Sequence, residues 1–137
     1  MYDQNFEWTQ LAPHYRYAMT HDEKILVVQL TGVDWASVDA FINHCLELRH
    51  TWPEDKPMRG LVDQRSVNLN TPYFRKSIQR LFLLKPDRIC YTAFLLDKSI
   101  ASRTLEAAVR LQMKQTHTVF KICYSFDESM AWLLQQG

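Results

Sequence analysis

Ring and small or polar side chains alternate through HYRYAMT, residues 14–20, and beyond the polar HDEK comes a β-branched run, ILVVQLTG, closed by Gly32. An alternating segment, a polar turn and an apolar run together predict an antiparallel hairpin. The second strand is apolar on both faces, so its place is inside a sheet covered on both sides. The first, over 14–20, is expected at a sheet edge. After Asp34 the period changes: Trp35, Val38, Phe41, Ile42, Cys45, Leu46 and Leu48 recur at three- and four-residue steps. That is an amphipathic helix, capped by Asp34 and ended by the run to Pro53 and Pro57.

The same reading carries to the end of the chain. MRGLVD, residues 58–63, is a short buried strand followed by a polar link, QRSVNLNT. Pro72 suits the first position of a helix capped by Asn70 or Thr71, with Phe74, Ile78, Leu81 and Phe82 on its inner face. RICYTAFLLD, residues 88–97, is dense in strand formers, and KSIASRTLEAAVRLQMKQ keeps a helical period through Ala101, Leu105, Ala108 and Gln112. The apolar run over 119–124 turns at Ser125, which forms a capping box with Glu128, ahead of a stripe of Met130, Leu133 and Leu134. The closing segment is therefore expected to dock as an interior strand and a covering helix.

The order of elements is ββαβαβαβα. It predicts one domain over residues 1–137, of α/β class, with a mixed, largely parallel five-stranded sheet, an N-terminal antiparallel hairpin and four flanking helices. Length and apolar content suffice for one core, since the chain has 137 residues of which 47% are hydrophobic.

Charge adds an asymmetry. From Arg59 to Lys121 twelve Lys/Arg face four acids, a net +8, while the remainder holds four Lys/Arg and eleven acids, a net −7. Side by side in the fold these segments neutralise each other; apart, they make a basic face for an acidic partner or a complementary surface for a second copy. The start lacks the basic and apolar regions of a signal peptide, and no apolar run is long enough to span a bilayer, so a cytoplasmic protein is expected. Cys45, Cys90 and Cys123 are odd in number and widely spaced, as in a chain with reduced, packed thiols.

Catalytic and cofactor motifs are missing from the sequence. Three separated glycines form no phosphate loop, and neither HExxH nor GxSxG occurs. His44 and His50, six apart on one helix, do not share a face as metal ligands would. His44 and Cys45 are adjacent on the helix and point about 100° apart, which keeps base from thiol. No catalytic residue, metal or cofactor is expected. Arg75, Lys76, Arg80, Lys85 and Arg88 form a basic cluster near Tyr73 and Phe74, but Phe74 belongs to the core face, and a solvated helix surface rather than a nucleic-acid stripe is expected.

Asp63, Gln64 and Arg65 fall at the C-terminal end of a buried strand, where open α/β sheets place their sites. One reading projects Arg65 and Ser66 at a partner, with Asn68, Asn70 and Thr71 supplying hydrogen bonds and Tyr73 and Arg75 the adjoining helix surface. The other pairs Asp63 with Arg65 and leaves Thr71 as a helix cap.

The strand RGLVDQRS, the strand RICYTAFLLD leading into an alanine-bearing helix, and the ending FKICYSFDESMAWLL resemble the STAS-type domain of the SpoIIAA-like superfamily over about residues 14–136. The resemblance implies a mixed sheet flanked by helices and a non-enzymatic domain that binds a partner protein. It also points to the helix start after the third strand, where anti-sigma factor antagonists carry a phosphorylated serine in Asp-Ser-Ser-Gly-Leu. Here the stretch is NLNTPYF, so only Thr71 could stand in and the glycine position is filled by bulk. A subgroup similar to lipid-carrying Sec14 domains lacks the serine as well. The expected function is thus a regulatory or protein-interaction domain, and the alternative is a carrier or sensor of an apolar or lipid-like small molecule, in a pocket lined by Phe41, Phe74, Phe82 and Phe94.

Overall fold

The computed structural model describes residues 6–20, 25–53, 55–66, 71–83, 89–98, 103, 106, 107, 110, 111, 114 and 118–136, with the backbone alone at 82 and 83. Six strands form one sheet: β1 (Thr9–Ala12), β2 (Tyr15–Thr20), β3 (Ile25–Leu30), β4 (Met58–Asp63), β5 (Cys90–Leu95) and β6 (Val119–Cys123). They lie side by side in chain order. The two N-terminal pairings are antiparallel and those from β3 to β6 parallel, so each step beyond β3 needs a crossover. Among the described residues, three whole helices flank the sheet: α1 (Trp35–Thr51), α2 (Pro72–Leu83) and α3 (Phe126–Leu134).

Alternation along β3 explains why its run is apolar throughout. Leu26, Val28 and Leu30 join Val62, Phe94 and Ile122 on one face, under Val38, Phe41 and Ile42 of α1 and Phe74, Ile78 and Leu81 of α2. Ile25 and Val27 join Leu61, Ala93, Leu95 and Cys123 on the other, under Met130 and Leu133 of α3, with Phe6 and Trp8 packed alongside. A strand buried on both faces has no polar side to alternate with.

Local capping is as the sequence predicts. Asp34 accepts from the Ser37 N–H at 3.1 Å, Thr71 from the Phe74 N–H at 3.2 Å and Ser125 from the Glu128 N–H at 3.1 Å. Trp52 ends α1, its backbone N–H donating to the Leu48 carbonyl at 2.8 Å and its indole to the Pro57 carbonyl at 3.2 Å.

Three expectations need correction. The sheet has six strands rather than five, because Thr9–Ala12 pairs antiparallel with β2. Three of its four residues are exposed, so no burial pattern marks it; backbone pairing with β2 and the packing of Ala12 on the core hold it. Residues 14–20 are consequently covered and β1 is the edge. Among the described residues the strand β6 is the opposite edge, not an interior member: it pairs there only with β5, and of its five residues only the last two are buried. Of the four expected helices, three are described as whole elements. Most of the fourth, expected from residue 98 onward, lies outside the described residues, although 103, 106, 107, 110 and 111 are helical.

Candidate functional site

At the C-terminal end of β4, Asp63 is 1% exposed and Gln64 2%. Asp63 is fully engaged: Oδ1 accepts from the Arg65 backbone N–H at 3.1 Å and its Nε at 3.0 Å, and Oδ2 from the Arg65 guanidinium at 2.9 Å and Gln29 at 3.2 Å. Gln29 in turn accepts from Arg16, whose guanidinium lies 4.0 Å over the Trp8 ring. The row Arg16, Gln29 and Asp63 follows from strand register, which no local sequence pattern shows. Gln64 differs, for its amide oxygen and nitrogen are both buried with no hydrogen-bond partner among the described residues.

The structure thus turns the Arg65 side chain back onto Asp63, though 39% of it stays exposed. Ser66 is exposed, Thr71 is occupied as the α2 cap, and Arg75 is exposed on α2; Asn68 and Asn70 lie outside the described residues. Tyr73 is half-buried against α1. Its hydroxyl donates to Asp39, and that hydrogen bond holds the phenol above its ordinary pKa.

Trp35 departs from expectation. Its period assigns it to the buried stripe of α1, yet it is 71% exposed and stacks on Tyr73, with ring centroids 5.0 Å apart and planes 20° from parallel. The two rings join the first turns of α1 and α2. Every charged residue of α2 is basic, namely Arg75, Lys76 and Arg80, and all three are exposed. The result is an exposed aromatic plate beside a cationic helix face.

Other reactive groups are sealed. Tyr15, fully buried, bonds His44 Nδ1 at 2.6 Å. Burial, with Cys45 and Tyr17 nearby, pushes the Tyr15 hydroxyl far above its ordinary value, so it keeps its proton. Burial also lowers His44, which disfavours its charged form. The Cys45 thiol is pushed up to about 12 by burial, against the pull of Arg49, and Cys123 is raised by burial too; such thiols are poor nucleophiles. Cys90 is buried, and none of the three cysteines is in a disulfide. Among the described residues, no group of three or more His, Cys, Asp or Glu side chains is placed to hold a metal ion.

A cavity of about 60 Å³ lies at the opposite end of the sheet, between the last turns of α1 and the first halves of β4 and β5. Phe41 lines it, as do Cys45, Leu48, Trp52, Met58 and Leu81. Phe74 and Phe94 belong instead to the packed core of the same layer, and the Phe82 side chain lies outside the described residues. Phe74 and Phe94 are therefore core rather than lining, and Phe41 is both.

In comparison with known proteins, the chain matches no family model, no curated protein and no solved structure. No described helix is long and apolar enough to cross a membrane.

Proposed function

We propose that this chain is a non-enzymatic, STAS-like interaction domain. Its docking face is the Trp35–Tyr73 plate together with Arg75, Lys76 and Arg80, and its partner is a protein presenting an acidic segment. The observation that carries the reading is Trp35, 71% exposed yet held flat on a tyrosine that is itself tied to Asp39. A large ring fixed in water at low residual entropy is the usual anchor of a protein interface, and the cations beside it select an acidic complement.

Two further points support it. The likeness of RGLVDQRS, RICYTAFLLD and FKICYSFDESMAWLL to STAS-type domains implies partner binding at the helix start after the third strand of that family, and this is where Thr71, Tyr73 and Arg75 sit. The mixed sheet flanked by helices is the architecture which that likeness implies. Thr71 acts in this reading as a cap rather than as a phosphoswitch, since its oxygen is used by the Phe74 N–H.

The test is photo-crosslinking in native lysate from a probe at position 76, with the crosslinked peptide sequenced. A reproducible protein contacted through an acidic segment is expected. Its affinity, once it is purified, should fall about thirtyfold in Trp35→Ala and more steeply with salt in the wild type than in Lys76→Glu. Equal binding by wild type and Trp35→Ala overturns the proposal.

A further inference from the structure

Tyr73, Lys76 and Arg80 recur at steps of three and four along α2, which puts them on one side of the helix in a line about 10 Å long. Trp35 stacks on the Tyr73 end of that line, with ring centroids 5.0 Å apart and 71% of the residue exposed. The Tyr73 hydroxyl donates to Asp39, which fixes the lower ring and with it the upper one. Lys76 and Arg80 are exposed, and Arg80 is near enough to Tyr73 to act on its hydroxyl. A rigid aromatic platform thus leads directly into two cations.

Proteins take up segments of other chains in a few recurring ways, and this geometry selects among them. Strand addition needs a sheet edge, whereas the platform stands on the starts of two helices. An amphipathic helix needs an apolar groove, and here the aromatic end of the line runs into charge. A flat, exposed ring suits the proline rings of a polyproline II segment, which is extended before it binds and so loses little entropy on docking. Such a segment advances about 3.1 Å per residue, so three to four of its residues, roughly, span the line from Tyr73 to Arg80. Carboxylates at that distance from the proline meet Lys76 and Arg80.

We propose that the segment read by this face is an acidic polyproline II stretch, with a proline ring on Trp35 and carboxylates within about four residues of it at Lys76 and Arg80. The inference rests on the docking face proposed above and adds the conformation and residue class of what that face takes.

The test is an NMR titration of the intact chain, reading backbone amides and the Trp35 indole N–H, with three synthetic peptides built from repeats of Pro-Pro-Glu, Pro-Pro-Gln or Gly-Ser-Glu. Pro-Pro-Glu should give saturable shifts at Trp35, Tyr73 and Lys76. Pro-Pro-Gln should bind about tenfold more weakly for want of charge-assisted hydrogen bonds, and Gly-Ser-Glu about tenfold more weakly because a flexible chain must be ordered. Trp35→Ala removes an exposed ring, should melt as the wild type does, and should abolish the preference for Pro-Pro-Glu over Gly-Ser-Glu; should it not fold, Trp35→Leu carries the same test. Arg80→Gln should weaken Pro-Pro-Glu and leave Pro-Pro-Gln unchanged. Gly-Ser-Glu binding as tight as Pro-Pro-Glu overturns this inference and leaves an acidic docking face standing. Pro-Pro-Gln binding as tight as Pro-Pro-Glu, or no saturable shift at Trp35 with any peptide, overturns it too, while crosslinking from position 76 decides the docking face separately.

Discussion

Tyr15 and His44 share one hydrogen bond, and burial keeps the hydroxyl protonated and disfavours the charged ring. The folded His44 pKa is below its unfolded value, so between the two the unfolded chain binds the extra proton. Stability is then full above about pH 6.5 and falls as pH drops below that value. Urea melts at pH 7.5 and 5.5 should show this loss, and His44→Asn should flatten it; an equal loss in the variant would place the titration elsewhere. Gln64 carries the opposite problem, a buried amide with neither end satisfied among the described residues. Leaving such a group unpaired costs about 1–3 kcal/mol, and Gln64→Met, of similar volume, should therefore raise stability by about 1 kcal/mol in denaturant titrations. A variant less stable than wild type would mean that the amide has a partner. Neither residue's role was legible in the sequence. His44 stood out only as a histidine beside a cysteine, and its real partner lies 29 residues back.

Elements were far more legible than sites. The strand over 58–63, the Pro72 start of α2 and the Ser125 cap all follow from local chemistry, because capping and hydrophobic period act within one or two turns. Thr71→Ala should cost about 1 kcal/mol of unfolding free energy, as the loss of a cap does, with the midpoint of a chemical melt as the readout. A neutral result would show that the first turn of α2 is held by its packing on α1 instead. Where local signals failed, the missing quantity was exposure. The segment TQLA has no apolar alternation because β1 buries almost nothing, and Trp35 is apolar yet sits in a first turn that reaches water beside Tyr73.

Across the whole molecule, the sheet divides the core into two layers. Among the described residues, α1 and α2 pack together on one side, and on the other α3 covers Leu61, Ala93, Leu95 and Cys123. Removing residues 125–137 should strip Met130 and Leu133 from that layer and leave a chain without a cooperative melt, checked by circular dichroism and size-exclusion chromatography. A monodisperse, cooperatively melting product would mean that Phe6 and Trp8 suffice as cover. The sequence alone determined the α/β class, the run of β3 to α2, the caps and the buried strand interiors, since each depends on neighbours a few residues away. Only the tertiary structure decided that β1 joins the sheet, that β6 ends it, that Arg16, Gln29 and Asp63 form one row, and that a cavity forms between the end of α1 and the starts of β4 and β5. Those outcomes rest on which residues meet across strands, and register is set by contacts between segments tens of residues apart, which no local period encodes.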